Sequence, residues 1–491
     1  MRRRDLLTAG LAAALPGQSA KRPNILFVIG DDWGRGHAGA YGCNWIKTPA
    51  FDRVAREGAL FTNCFTSNPK CSPSRATILT GRNSWQLKEA INHFSIMPNE
   101  FAVYPTLLEK AGYHVGLTGK GWGPGDFRST GFTHNPAGHE YQSRKLKPPY
   151  KGIGNNDYSG NFEDFLAKRP SKELPFCFWL GFQEPHRFYE EGSGERAGRN
   201  SAEVTLPKYY PDNATIRSDM MDYALEVEWL DRHLGLVLKK LEESGELDNT
   251  LLVVTSDHGM PFPRVKGQIY EDGFHIPMAI RWAGHVKPGR KVDDFINFRD
   301  LAPTFLEAAG LRPAATMTGK SFLDVLKSPS SGLVDASRNT MLVGKERHDL
   351  GRPYDQGYPV RGIRTPEFFY KRNYEPDRWP AGNPETGYRN CDDGPTKQFL
   401  LRGFDKYYRM SFGKRPPEEL YDMKGDPECI NNLAADPRHA QTKRQLRDRM
   451  EDMLRKEGDP RMLGQAHFFD TVEYTGPKAH SYDNWLKNQR P

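Results

Sequence analysis

Two uninterrupted apolar runs constrain the fold of this 491-residue chain most strongly. Residues 24–30 read NILFVIG and residues 251–256 read LLVVTS. A strand covered on both faces needs no polar alternation, so these runs predict central strands of a mainly parallel sheet. Asp31 and Asp32 directly follow the first run, and Asp257 follows the second. Because ligands of open α/β sheets bind at the carboxyl ends of strands, the sequence predicts three converging carboxylates there.

The other apolar patterns predict an α/β fold with a large mixed, mainly parallel sheet sandwiched by helices. Residues 176–182 form another buried run, and residues 217–243 repeat apolar side chains at helical spacing up to a stop at Gly245. From about residue 350 the chain is dense in turn signals. We therefore predict a catalytic domain over residues 21–354 and a smaller C-terminal α+β domain over residues 355–491. The smaller domain should hold a small antiparallel sheet and a helix near residues 437–457.

The first twenty residues predict an export signal. Arg2, Arg3 and Arg4 precede a short, alanine-rich apolar stretch and a small-residue region that ends near Ala20. This layout is typical of a twin-arginine signal. The stretch is too short for a membrane span, and no later run is long enough. The sequence thus predicts an exported protein, either periplasmic or extracellular.

The net charge of the chain says little about what it binds. The chain has 69 basic and 62 acidic residues, and its formal net charge of +7 supports a polyanionic partner only weakly. Basic residues alternate with aromatic ones over residues 361–372. This pattern predicts a solvated strand face or, less commonly, the rim of a glycan site. No nucleic-acid motif accompanies it.

Residues 71–81, CSPSRATILTG, form the most specific motif of the chain. They resemble the maturation signature of the formylglycine-dependent sulfatases, in which an enzyme reads Cys-x-Pro-x-Arg and converts the cysteine to an aldehyde. The hydrate of that aldehyde is the nucleophile. Without the resemblance, a buried thiol before a proline-initiated helix fits the same residues. Residues 419–434 resemble the C-terminal signature of the family, so the resemblance covers nearly all of the chain after residue 20.

The resemblance implies a fold like that of alkaline phosphatase and the sulfatases, and one divalent cation per chain, usually Ca²⁺. An oxygen of the modified residue 71 shares that cation with three aspartates. Position 258 supplies a fourth protein ligand in the family, although the histidine here is softer than calcium prefers. The implied ligand set is Asp31, Asp32, Cys71, Asp257 and His258. The implied partners are a sulfated saccharide and the formylglycine-generating maturation enzyme, and the oligomeric state stays open.

The resemblance also implies the roles of the catalytic side chains. We assign Arg75, four residues after Cys71, to stabilising the hydrated aldehyde, because its planar guanidinium suits oxyanions. Asp257 is expected to help deprotonate this hydrate, whose parent aldehyde is 3-oxoalanine. His186 protonates the leaving group. Lys120 and Lys266 hold the sulfate. The implied catalytic set is Cys71, Arg75, Lys120, His186, Asp257 and Lys266.

One position departs from the family pattern. Many sulfatases have a histidine two residues after the lysine that matches Lys120, and it takes a proton from the geminal diol as sulfate leaves. In this chain Trp122 stands there. Either the loop aligns differently or another histidine fills the role, and His37 and His93 are the substitutes we consider.

The expected substrate follows from residues 175–187, 235–241 and 257–263, which resemble the heparan N-sulfatases within the family. They imply cleavage of N-sulfoglucosamine in heparan-type glycans. The alternatives are an O-sulfatase for another polysaccharide and a non-catalytic glycan-binding homologue. Phosphoester hydrolysis is disfavoured, because it calls for a serine or threonine nucleophile and a richer set of metal ligands.

The cysteine count argues against a complete disulfide framework. Six cysteines leave five once Cys71 is consumed, and an odd number cannot pair fully. Cys64 and Cys177 lie in apolar runs and are predicted to be core thiols. A pairing of Cys391 with Cys429 stays open.

Overall fold

The computed structural model describes residues 21–403, 405–478 and 481–489, so the predicted export signal lies outside the described residues. The strands are β1 (Asn24–Gly30), β2 (Ala59–Phe65), β3 (Ser95–Ile96), β4 (His114–Gly119), β5 (Gly125–Asp126), β6 (His139–Glu140), β7 (Phe176–Gly181), β8 (Thr250–Ser256), β9 (His275–Arg281), β10 (Arg290–Val292), β11 (Ile296–Asn297), β12 (Met341–Lys345), β13 (Val360–Arg364), β14 (Phe368–Asn373) and β15 (Glu418–Asp422). The α-helices are α1 (Pro49–Glu57), α2 (Cys71–Thr80), α3 (Tyr104–Lys110), α4 (Tyr158–Ala167), α5 (Ser193–Arg196), α6 (Ala214–Glu243), α7 (Glu271–Phe274), α8 (Leu301–Ala308), α9 (Leu323–Lys327), α10 (Pro395–Leu401), α11 (Lys406–Phe412), α12 (Ala440–Lys456), α13 (His467–Thr471) and α14 (Tyr482–Asn488).

The large sheet has the strand order β10-β2-β9-β8-β1-β7-β4-β6, with β11 paired to β2. Strand β1 lies in its middle and is parallel to both neighbours, with Leu26 opposite Leu252 of β8 and Phe178 of β7. Strand β9 is antiparallel to β2 and β8. The sheet is therefore mixed and mainly parallel, as predicted.

Helices cover both faces of this sheet, which explains why β1 has no polar alternation. Leu26 and Val28 pack into a core with residues of α1, α4 and α6. Ile25, Phe27 and Ile29 pack into the opposite core with residues of α2, α3 and α8. All five side chains are fully buried. The predicted long helix is confirmed as α6, and Gly245 follows its end with a positive φ of 71°.

A second, antiparallel sheet has the order β12-β13-β14-β15, and α12 packs on it through Leu446, Met450 and Leu454. This sheet begins at Met341, upstream of the expected domain limit at residue 355, and that limit stays a prediction. Across the described residues, no helix combines the length and apolar character that a membrane crossing requires.

Arg361 and Arg364 of β13 do not lie on the solvated face that the sequence predicts, whereas the Arg372 side chain of β14 is 42% exposed. Arg361 is fully buried and forms ion pairs with Asp459 at 2.7 Å and Glu346 at 2.9 Å. Arg364 is also buried and pairs with Glu271 at 3.0 Å. For these two arginines the expectation was wrong, because their acidic partners come from distant segments that the local pattern does not contain.

Candidate active site

Three acidic residues lie at the carboxyl ends of β1 and β8. Asp31 and Asp32 directly follow β1, and Asp257 directly follows the parallel neighbour β8. All three are at most 1% exposed. Asp32 adopts a positive φ of 78°, and its backbone N–H donates to Asp257 Oδ1 at 3.1 Å. The structure thus brings the three predicted carboxylates together at one edge of the sheet.

Cys71 is the first residue of α2, and its side chain points at these acids. Its Sγ lies 3.4 Å from Asp31 Oδ1 and 3.4 Å from His258 Nε2. Burial, together with the negative charge of Asp31, raises the pKa of the Cys71 thiol far above its usual range. Because the thiolate is the reactive form of cysteine, the encoded side chain is a poor nucleophile in this position.

The donor atoms around Cys71 fit a hard divalent cation. Ligand atoms of Asp31, Cys71, Asp257 and His258 all lie within 4.8 Å of one another. Asp32 Oδ1 lies 3.2 Å from His258 Nε2 and has no hydrogen-bond partner among the described residues. Three buried carboxylates are the donors that Ca²⁺ prefers, whereas the histidine suits a softer ion better. The residues that would hold the cation are therefore these five.

Each predicted cationic side chain pairs with one of the predicted acids. Lys120 Nζ lies 2.5 Å from Asp31 Oδ2, and Lys266 Nζ lies 2.7 Å from Asp32 Oδ2. Burial opposes the charge of Lys266, but Asp32 outweighs it, and the pKa of this lysine lies well above its usual range. Burial also opposes ionisation of Asp31, but the cations around it, Lys120 first, hold its pKa well below the usual range.

Arg75 holds α2 against the strand ends. Its Nε donates to Asp257 Oδ2 at 3.0 Å, and its Nη1 donates to the backbone oxygens of Lys120 at 2.7 Å and Gly121 at 3.0 Å. The guanidinium is fully buried. Its planar fork therefore fixes the position of Cys71, one helical turn earlier, relative to the acids.

His186 lies at the mouth of the site. Its side chain is 38% exposed, and Nε2 lies 4.0 Å from Asp32 Oδ2. On the other side of the ring, Nδ1 lies 2.5 Å from the backbone oxygen of Arg187. This contact orients the ring so that Nε2 faces the acids.

These side chains border a cavity of about 810 Å³. Cys71, Asp31, Lys120, His186 and Lys266 all line it. Three aromatic side chains line it as well, namely Phe94, Phe188 and Tyr474. Phe188 is 72% exposed. A space of this size with charged groups at one end and aromatic groups elsewhere suits a saccharide that carries an anionic group.

The cavity also contains charged residues that the sequence analysis missed. Lys266 Nζ lies 2.7 Å from Asp392 Oδ2, so this lysine bridges two acids. Lys70 Nζ lies 2.8 Å from Asp349 Oδ2. Asp349 follows β12 of the small sheet and Asp392 lies in the turn-rich segment before α10. The position of Lys70 could have been predicted from the sequence, because it directly precedes Cys71. Nothing in the sequence around Asp349 or Asp392 indicates that they lie in the cavity.

His37 and His93, the two candidates to replace the family histidine that is missing at position 122, have different environments. Trp122 is buried, and its Nε1 donates to the backbone oxygen of Ser72 at 3.1 Å. His37 Nδ1 lies 3.1 Å from Tyr223 Oη, and burial lowers its pKa to about 4. His93 lines the cavity, with Nδ1 2.7 Å from Asp349 Oδ1. Of the two, His93 is the one that borders the cavity.

All six cysteines lie in the described ranges and are free thiols. Cys64 and Cys177 are buried in the core, as predicted. Cys391 and Cys429, whose pairing the sequence left open, are likewise buried and unbonded to each other.

Comparison with known proteins adds a family match and a fold. The family model described as sulfatase matches residues 23–311. An ulvan-active sulfatase of Formosa agariphila is 26% identical over 92% of this chain and 78% of its own length. The N-sulphoglucosamine sulphohydrolase of Homo sapiens is 28% identical over 93% of each chain. The solved structure of BT4656 in complex with its substrate D-glucosamine-2-N,6-O-disulfate has a TM-score of 0.66 at 24% identity, over 89% of this chain and 99% of that one.

Proposed function

Because this chain belongs to the sulfatase family, we propose that it removes nitrogen-linked sulfate from glucosamine residues of heparan-type glycans. That the chain is a sulfatase follows from the family itself. The proposal adds three finer points. Residue 71 works as formylglycine, Ca²⁺ assists the reaction, and the bond that breaks joins sulfur to nitrogen.

One observation carries the proposal. Cys71 begins a fully buried helix at the charged end of the cavity, and its Sγ is 3.4 Å from a carboxylate oxygen of Asp31. A buried, protonated thiol has no evident use beside clustered carboxylates and lysines. The hydrate of an aldehyde at this position would instead present oxygen to the same groups, and it supplies the nucleophilic oxygen in this proposal.

The bound cation would be held by Asp31, Asp32, Asp257, His258 and the modified residue 71, and it would supply positive charge to the reacting oxygens. The two lysines act beside it. Lys120 and Lys266 line the cavity and are held in place by their acidic partners, so they neutralise the sulfuryl oxygens without reorganising.

His186 is the proposed general acid. A sulfamate nitrogen leaves as an amine only after it gains a proton, so cleavage of this bond requires a donor at the mouth of the site. His186 is partly exposed, lines the cavity and turns Nε2 toward the acids. A protonated imidazole in this position donates from Nε2 to the leaving nitrogen.

His93 is the proposed base for sulfate release, in place of the family histidine, because Trp122 stands at that position. Its Nδ1 contacts Asp349, and its buried Nε2 has no hydrogen-bond partner among the described residues. Burial lowers the pKa of His93 to about 4, despite the opposing charge of Asp349. The imidazole is therefore neutral at physiological pH, as a base must be.

The choice of nitrogen-linked sulfate is supported by the similarity to the human N-sulphoglucosamine sulphohydrolase over 93% of both chains. The ulvan-active sulfatase has nearly the same identity over 92% of this chain, so an O-sulfatase for another polysaccharide is the second candidate. The pocket details that separate these substrates are side-chain differences, which family membership does not specify.

A saccharide panel tests the proposal. Wild-type protein, matured by a co-expressed formylglycine-generating enzyme, is assayed for sulfate release from N-sulfated, 6-O-sulfated and 2-O-sulfated glucosamine-containing fragments and from ulvan. Cys71→Ala serves as the inactive control. We expect the highest kcat/KM on the N-sulfated fragment. A preference for an O-sulfated substrate would contradict the assignment to nitrogen-linked sulfate but not the sulfatase activity. If no substrate releases sulfate, not even an aryl sulfate, the protein is better explained as a non-catalytic homologue.

A further inference from the structure

Three potential metal ligands converge at the edge of the large sheet, among residues that do not line the Cys71 cavity. Glu109 lies near the end of α3, and His139 begins the edge strand β6. His134 belongs to the loop between β5 and β6. Glu109 therefore comes from α3, whereas His134 and His139 come from a loop and from the edge strand that directly follows that loop.

The geometry of the cluster fits a small tetrahedral ion. His139 Nε2 lies 2.7 Å from Glu109 Oε1, and the imidazole rings of His134 and His139 stack with their centroids 3.9 Å apart. One ligand atom from each residue lies within 4.8 Å of the others. A tetrahedral ion with bonds of about 2.0–2.1 Å holds its donors roughly 3.3 Å apart. To bind the ion together, one of the two stacked imidazoles must turn so that both in-plane lone pairs point at it, and His134 and His139 are not buried, so their rings have room to turn.

An ordinary surface ion pair explains this cluster less fully. A pair between His139 and Glu109 accounts for the 2.7 Å contact, but it gives no reason for a second imidazole stacked on the first. His134 Nδ1 lies 3.1 Å from Thr133 Oγ1, and the described residues provide no hydrogen-bond partner for its Nε2.

We propose that Glu109, His134 and His139 form a second cation site, which binds Zn²⁺ or a similar transition-metal ion. Two imidazoles and one carboxylate suit Zn²⁺, whereas the carboxylate-rich centre at Cys71 suits Ca²⁺. The two sites thus select different ions by their donor atoms.

A bound ion would fasten the loop before β6 to α3. The next residue in that loop, Asn135, accepts from the Trp122 backbone N–H at 2.9 Å and donates to the Trp122 oxygen at 3.0 Å. Trp122 in turn donates from Nε1 to the backbone oxygen of Ser72, beside Cys71. The ion would therefore stabilise the loop that holds Trp122 in place, and Trp122 in turn contacts the first turn of α2.

Zinc binding to the wild-type protein and to a His134→Gln/His139→Gln double variant tests the proposal. Both proteins are saturated with Ca²⁺ and titrated with Zn²⁺ at neutral pH, and bound zinc is counted by elemental analysis after dialysis. The active centre is identical in both proteins, so the difference isolates the second site. We expect the double variant to lose one equivalent of zinc, with at least a ~100-fold weaker affinity, since even outer-shell partners of metal ligands contribute ~10–100-fold.

Two further variants sharpen the test. Glu109→Gln should weaken zinc binding. His285→Gln is the matched control, since His285 is also exposed and its ring also stacks on an aromatic ring, that of Trp282, with the centroids 3.9 Å apart. It should leave zinc binding unchanged, because His285 does not belong to the cluster. Zinc should raise the Tm of the wild-type and His285→Gln proteins and leave that of the double variant unchanged. Circular dichroism checks that each variant is folded. Equal zinc binding in the wild-type protein and a folded double variant, or no binding to either, would overturn the proposal.

Discussion

At the scale of single residues, the candidate active centre is a set of buried charges that neutralise one another. Lys120 and Lys266 each pair with one of the three acids at the strand ends, and Arg75 pairs with both Asp257 and Asp31. Removing one partner of a buried pair leaves an uncompensated charge, which costs about 3–5 kcal/mol. Substitutions here consequently change stability as well as catalysis, and each needs a folding control.

Lys266→Met should reduce kcat/KM by ~10²–10³, because a preorganised positive charge beside the sulfuryl oxygens is lost. It should also lower the Tm, because Asp32 and Asp392 are left facing each other. The measurement is aryl sulfate turnover on protein shown to be folded. Lys287→Met is the matched control, since Lys287 is exposed, and it should change neither quantity. An unchanged kcat/KM in Lys266→Met would remove this lysine from the mechanism.

His186→Ala should reduce the kcat for an N-sulfated saccharide by ~10²–10⁴, the usual contribution of a general acid. The kcat for an activated aryl sulfate should fall much less, because a phenolate leaves without a proton. Both substrates are measured on the same preparation, so the aryl sulfate serves as the internal control. Equal losses on the two substrates would contradict the assignment of His186 as the acid.

At the scale of elements, the positions of β1, β8 and α6 were predictable because their patterns are local. Continuous apolar runs indicate strands covered on both faces, and the acids after them follow from the direction of parallel strands. Asp349 and Asp392 were not predictable. Asp349 reaches the cavity because it follows β12 of the small sheet, and Asp392 does so because its neighbours Tyr388 and Cys391 pack into the core that contains α6. The turn-rich sequence around them encodes neither approach. The burial of Arg361 was missed for the same reason.

Helix α6 carries a buried acid whose charge should destabilise the fold at high pH. Burial, with Glu184 nearby, raises the pKa of Glu226 well above its usual range, and Oε2 has no hydrogen-bond partner among the described residues. The folded state thus keeps a proton that the unfolded state loses. Stability should fall as pH rises from about 4.5 toward the raised pKa.

Glu226→Gln should therefore raise the Tm of the protein at pH 8, because it removes a buried carboxyl group that resists losing its proton in the folded state. The gain should shrink at pH 5, where Glu226 is protonated in the folded state. Thermal unfolding at both pH values measures it. Glu243→Gln, an exposed position on the same helix, is the control and should show no such pH dependence. A gain that is equal at the two pH values would contradict the buried-charge explanation.

At the scale of the whole molecule, the candidate active centre joins parts of the chain that are far apart in sequence. Its acids follow β1 and β8 of the large sheet, Cys71 begins α2, and Asp349 follows β12 of the small sheet. A ligand that bridges such segments binds the folded chain and not the unfolded one. Its binding free energy therefore adds to the stability of the whole fold.

Calcium should raise the Tm of the protein in a concentration-dependent way. At about 100 times its Kd, it should add about 2.7 kcal/mol to the free energy of unfolding. Asp31→Asn should weaken this effect, because the hard cation loses an anionic ligand. Differential scanning calorimetry over a calcium series, after exhaustive chelation, measures both proteins. A wild-type Tm that does not respond to calcium would contradict the proposed metal centre.

The central claim is that residue 71 is the modified nucleophile of a sulfatase, and peptide mass spectrometry joined to turnover tests it most directly. The protein is expressed with and without a formylglycine-generating enzyme. For each sample, the mass of the peptide around Cys71 is determined, and the turnover rate of the intact protein on an aryl sulfate is measured. The account predicts an aldehyde at position 71 in the co-expressed sample, a rate proportional to the converted fraction, and no turnover in Cys71→Ala. Full activity in Cys71→Ala, or in protein whose Cys71 is wholly unconverted, would contradict it.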